Sequence, residues 1–142
     1  LPACARAGLG VLVWSPLAMG MLAGRYSNDE PDSFQSARFQ RGGIYAERIT
    51  PKAVDAGQKF VKLAGDFNIA PAHLALLWVK DQSHITAPLI GPRTLSQIKD
   101  IVPIMEMGLS DELRVACDGI VPPGSAIANF LNSAPWSKQL LI

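Results

Sequence analysis

The chain has 142 residues, the size of one ordinary domain, of which 49% are hydrophobic and 18% charged; that balance forms a packed core and excludes intrinsic disorder. Its formal net charge is +1 with Lys and Arg scattered, so no electrostatic footprint for nucleic acid or an anionic membrane is expected. Cys4 and Cys117 stand far apart without metal-ligand spacing and read as small buried hydrophobes of a reducing, cytoplasmic compartment.

Residues 1–8, LPACARAG, read as the end of a helix stopped by Gly8. A domain rarely opens on a helix end, so the chain reads as the rear part of something larger. Residues 10–14, GVLVW, are a continuous apolar run with β-branched residues, the pattern of a strand buried on both faces in a parallel sheet. The uncharged stretch continues to Gly24 and nearly reaches the length of a membrane span. Pro16, Gly10 and Gly20 interrupt it, and no basic, then apolar, signal peptide is evident. A soluble protein is expected. Residues 15–50 read as a long irregular loop, of a length that is usually functional.

Thr50-Pro51 opens a helix in the preferred way, with a capping hydroxyl before proline. Ala53, Ala56, Gly57, Phe60, Ala64 and Phe67 give it one apolar stripe. A second helix follows Ala70-Pro71 and runs to Asp81; it is apolar nearly all round, as for a helix wedged between a sheet and other helices. Residues 86–90 read as a short strand that ends in Gly91-Pro92-Arg93-Thr94. The next helix, residues 95–101, is capped by Thr94, with Ile98 and Ile101 facing inward. Ser110 caps a final helix, and residues 121–142 form an irregular tail. Strands alternating with helices imply βα units and a parallel sheet. Two such units do not close a sheet alone, so the chain is expected to be part of an α/β architecture.

In parallel α/β proteins ligands collect where strands end and loops lead out. The first such loop, Ser15-Pro16-Leu17-Ala18-Met19-Gly20, has two readings. Leu17, Met19, Met21 and Leu22 cover the sheet end or a neighbouring helix, which is the stronger reading for the loop alone. Otherwise they lie against a flat dinucleotide, with Arg25 meeting a phosphate. The second loop combines Gly91, the bidentate cation Arg93, the hydroxyl of Thr94 and a helix start, a cradle suited to phosphate; an ordinary capped turn is its alternative. His73 and His84 read as isolated and solvated. The acidic residues show no paired-carboxylate pattern, and neither cysteine has an activating neighbour.

Three stretches, in order, resemble the aldo-keto reductases. VWSPLAMGMLAGRY (residues 13–26) is similar to their seventh strand and the loop after it, and NIAPAHLALLWV (68–79) to a helix opening on Pro-Ala and closing on Trp-Val. PLIGPRTLSQI (88–98) is similar to the eighth strand and its cofactor loop. Gly91-Pro92 stands where many members carry Lys-Ser, so the chain resembles the Gly-x-Arg branch, with bacterial reductases and potassium-channel β-subunits. The resemblance implies that residues 1–142 are the C-terminal portion of a single (β/α)8 TIM barrel, about its last two βα units plus an extra helix and tail.

It further implies an NADP(H)-dependent oxidoreductase that reduces aldehydes and ketones to alcohols, its partner being a small-molecule carbonyl substrate. Ser15, Pro16, Leu17 and Gly20 would line the pyrophosphate side of the cofactor, and Arg25 would be the basic residue of a Gly-Lys/Arg-Tyr element. Arg38 would contact phosphate or adenine. Gly91, Arg93 and Gln97 would hold the adenosine and its 2′-phosphate, with Asp100 where the family has Glu near the adenine and Ile101 where it usually has Asn. The family's catalytic Asp, Tyr, Lys and His lie on earlier strands and match nothing here, so the chain alone is expected to be inactive. The alternative is a nicotinamide-sensing subunit without turnover.

Overall fold

Residues 1–30, 32, 40 and 47–127 are described in a computed structural model; Arg38 and residues 128–142 lie outside them. Helix α1 (Pro2–Arg6) has proline in its first turn and ends before Gly8, whose φ of 66° is the left-handed conformation glycine adopts freely. Strand β1 (Leu12–Trp14) pairs in parallel with β2 (Ala87–Leu89), Leu12 opposite Ala87 and Trp14 opposite Leu89. Just before the ladder, Val11 N–H donates to Thr86 Oγ1 at 2.8 Å and Thr86 N–H donates to the Val11 carbonyl at 2.9 Å. This reciprocal clamp fixes the register.

The expectation of a strand buried on both faces fails. Leu12 is 60%, Trp14 55% and Leu89 51% exposed, because two strands lack the neighbours that cover a larger parallel sheet.

Between β1 and the helices, residues Ala18–Ala23 form a 3-10 segment rather than irregular loop. Helix α2 (Pro51–Asp66) starts at Thr50, whose hydroxyl accepts the Ala53 N–H at 3.2 Å. Ala53, Val54, Gly57, Phe60 and Ala64 are buried along it, whereas Phe67, expected on the same stripe, lies past the helix end and is exposed. Helix α3 (Pro71–Lys80) buries Leu74, Ala75, Leu76 and Leu77 in succession. It can do so because it touches β2, α2 and the 3-10 segment at once. Each such leucine contributes about 2 kcal/mol of transfer free energy.

Helix α4 (Leu95–Ile101) runs on into a second 3-10 segment, Val102–Glu106. Its inner face carries Ile101, as expected, and Ile104 in place of Ile98, which is exposed. Helix α5 (Asp111–Ile120) starts at Ser110, whose hydroxyl accepts the Leu113 N–H at 3.2 Å. The main core is built from Phe60, Ala64, Leu74 to Leu77, Ile104, Leu109 and Cys117. Cys117 is buried as expected, but Cys4 is only half-buried.

The stretch from α3 to α5 is tied at its base. Asp81, which ends α3, accepts the Leu109 N–H at 2.6 Å and contacts Lys80 Nζ at 2.5 Å. Its carbonyl accepts from Arg114 Nη1 at 3.1 Å. Burial pushes the Asp81 carboxyl up, but Lys80, the Leu109 N–H and Arg114 together hold it below its ordinary value. Among the described residues no helix is long and apolar enough to cross a membrane.

Candidate functional site

Parallel pairing with Trp14 opposite Leu89 sends both strand exits out of the same sheet edge, on strands about 5 Å apart. Ser15 and Pro16 follow one strand directly and Ile90 and Gly91 the other. The two loops singled out by sequence therefore open side by side.

The first exit is tightly built. Ser15 has a φ of 57°, and Ala18, Met19 and Gly20 are left-handed in succession at 46°, 62° and 100°. Such backbone costs about 1–3 kcal/mol per non-glycine residue and persists only where packing enforces it. Here the packing is evident: Met19 and Met21 are buried, and Leu17 and Leu22 lean on the main core. At Gly57 of α2 a Cβ would come within 2.7 Å of Met21 Cγ and 3.1 Å of the Met21 carbonyl oxygen, so helix and loop meet backbone to backbone. The apolar side chains of this loop thus serve packing. Gly20 and Arg25 come together, because the Arg25 N–H donates to the Gly20 carbonyl at 3.1 Å and the arginine side chain lies where a Gly20 Cβ would point.

The second exit is open. Gly91, Arg93, Thr94 and Gln97 are exposed, and nothing lies within 4 Å of a Cβ placed on Gly91. The turn is held by its own side chains. Thr94 Oγ1 accepts the Gln97 N–H at 3.3 Å, and Gln97 Oε1 accepts the Arg93 N–H at 2.6 Å. This reciprocal pattern is close to a capping box, a signal present in Thr94-x-x-Gln97 that reading Gln97 only as a ligand residue misses. The Arg93 guanidinium stays exposed, and a glycine with free space beside it leaves room for a bulky anion.

Asp100 lies on α4 beside His73 of α3, with Nε2 and Oδ2 3.1 Å apart. His73 is therefore half-buried against Asp100, not solvated as its sequence context suggests; the signal is a contact between helices, which no local pattern carries.

A cavity of about 480 Å³ opens beside the first exit, between the 3-10 loop, α2 and the end of α5. Met19, Met21, Phe60, Trp78, Cys117 and Ile127 are among its walls, and of the nine expected site residues that are described, Ser15 lines it. Burial, with a smaller push from Asp118, raises the Cys117 thiol to about 11, so it is no nucleophile. The cavity borders the first exit, sharing Ser15, Ala18 and Met19 with it, and the strand exits remain the candidate site.

A parallel strand pair with helix-linked loops gathered at one edge is the arrangement of an α/β ligand-binding protein. The family model of the Aldo/keto reductase family matches residues 1–121, and the chain belongs to that family. It is 35% identical over 125 residues to an uncharacterized oxidoreductase, YrpG, of Bacillus subtilis (strain 168), a match spanning 87% of this chain and 36% of the relative. It is 28% identical over 149 residues to the aldo-keto reductase yakc of Schizosaccharomyces pombe, whose name carries NADP(+), spanning 97% of this chain and 43% of the relative. The solved structure of the glycerol dehydrogenase AKR11B4 from Gluconobacter oxydans superposes with a TM-score of 0.59 at 26% identity, covering 92% of this chain and 40% of that one. The chain thus spans about two fifths of the length of the relatives it matches.

Proposed function

We propose that this chain is the cofactor-binding, C-terminal part of an NADP(H)-dependent aldo-keto reductase that reduces aldehydes or ketones to alcohols. In this reading residues 1–142 supply about the last two βα units of a (β/α)8 barrel. The observation that carries it is the shared edge of the two exits, together with family membership and the NADP(+) in one relative's name.

The residues present fit such a cofactor: one exit offers a rigid, apolar-backed loop, the other an exposed arginine with open space beside Gly91. Ser15, Pro16, Leu17, Gly20 and Arg25 would face the pyrophosphate side. Gly91, Arg93 and Gln97 would hold the adenosine and its 2′-phosphate, and Asp100 would face the adenine. The cofactor, when bound, supplies the hydride, and this chain's residues bind and orient it. The proton donor to the carbonyl oxygen belongs to family residues with no counterpart here, so the 142-residue chain alone is expected to turn over no substrate.

Arg93→Ala in the full-length protein tests the reading through NADPH affinity, followed by quenching of tryptophan fluorescence. Loss of a charged phosphate contact is expected to weaken binding by about 1–3 kcal/mol. An unchanged affinity would remove the second exit from the cofactor site.

A further inference from the structure

His73 stands in the first turn of α3 and Asp100 near the end of α4. Nothing in the local sequence joins them, yet the fold sets Nε2 and Oδ2 3.1 Å apart. The two partners differ in environment: the His73 side chain is 19% exposed and Asp100 65%. Nε2 itself is shielded from solvent and has no partner in hydrogen-bond alignment. A shielded ring nitrogen is costly to leave so, and the mobile member of the pair is the exposed carboxylate. The distance already suits a hydrogen bond; only the direction is missing. Either the Nε2–H tautomer or the imidazolium donates in it.

We propose that His73 is a positioning residue for Asp100, holding its carboxylate in one rotamer to accept a hydrogen bond from the exocyclic amine of the cofactor's adenine. This rests on the reading of Asp100 as the adenine contact. A carboxylate on an open helix surface samples several rotamers. Fixing one of them before the nucleotide arrives removes part of the ordering cost of binding. His73 suits the task because the packing of α3 against the core fixes its backbone, and its nitrogen faces the carboxylate from the protected side.

The test compares two ligands on one protein. The full-length protein is titrated by tryptophan fluorescence with NADPH and with its reduced hypoxanthine analogue, in which a carbonyl replaces the adenine amine. The wild type is expected to favour NADPH by about tenfold, one hydrogen bond to a charged group. His73→Leu reduces that preference to about twofold or less, while His73→Gln retains most of it because its amide N–H donates from a similar place. Because the readout is a ratio within one sample, partial loss of folded protein cancels. Asp100→Ala must abolish the preference, and His73→Leu must add nothing to it in the double variant. If Asp100→Ala abolishes the preference and His73→Leu leaves it intact, positioning is overturned while the adenine contact stands. If Asp100→Ala itself leaves the preference intact, the adenine contact is wrong and the positioning role falls with it, independently of what Arg93→Ala does.

Discussion

The two strand exits share a sheet edge and little else. The Ala18–Ala23 exit is apolar, strained in its backbone and pinned by α2, so that its shape is a property of the core. The Gly91 to Thr94 exit is polar and exposed, and its shape is held by two side-chain hydrogen bonds of its own turn. Apolar contact is roughly proportional to buried area and survives exchange with solvent. Exposed hydrogen bonds contribute little net stability and open easily. One exit is therefore a rigid wall and the other an adjustable grip. A site that must admit and release a long, charged ligand benefits from having both.

The sharpest way to break this contrast is to put the same side chain at one glycine on each side. Gly57→Val pushes a branched side chain into Met21, whose carbonyl oxygen is already 3.1 Å from the Cβ position. The overpacking is expected to cost about 2–3 kcal/mol net of the small gain in helix propensity. Gly91→Val meets open space and should stay within about 0.5 kcal/mol of the parent. Urea unfolding of both variants decides it. Equal losses would mean that the two exits are supported alike.

A smaller effect is expected where the second exit is tied to the core. Asp81 closes the excursion that contains β2 and α4 by accepting the Leu109 N–H. Its carboxyl is held below the ordinary value of 3.8 by Lys80, Leu109 and Arg114 against the opposing effect of burial. A depressed carboxyl stabilises the fold above its unfolded value, and that contribution is lost as pH falls through the folded one. Asp81→Asn should therefore cost about 1–2 kcal/mol at pH 7. The gap between parent and variant should shrink below about pH 4. Thermal melts at pH 7 and pH 3 check the sign; a gap that widened in acid would contradict the assignment.

The same contrast explains what was legible in the sequence. Short-range chemistry was: Thr50, Thr94 and Ser110 all cap the helices expected of them, and Pro51 and Pro71 sit in first turns. The two exits were also legible, since strand pattern and glycine mark them. Burial was not. Whether Leu12 and Trp14 are covered depends on what flanks the two strands, and among the described residues no further strand does so; whether Ile98 or Ile104 faces inward depends on how α4 leans on α3. The left-handed run at Ala18 and Met19 and the meeting of His73 with Asp100 are likewise set by contacts between distant segments, which no window of sequence contains. Arg38 falls outside the described residues, so its expected contact is carried by resemblance alone.

The smallest effect probes the grip itself. Thr94→Ala removes the hydroxyl that accepts the Gln97 N–H and also contacts Ser96 Oγ at 2.9 Å. Loss of such a cap costs about 1 kcal/mol of local helix stability. In an exposed seven-residue helix this should appear as fraying rather than as global unfolding. Amide exchange at Arg93 and Gln97 is expected to speed up about fivefold, with the urea midpoint unchanged. If the midpoint fell as far as in Gly57→Val, the turn would have to be coupled to the core, and its independence from the apolar exit would be wrong. Faster exchange confined to those amides would instead show that the turn can open and close without disturbing the wall beside it.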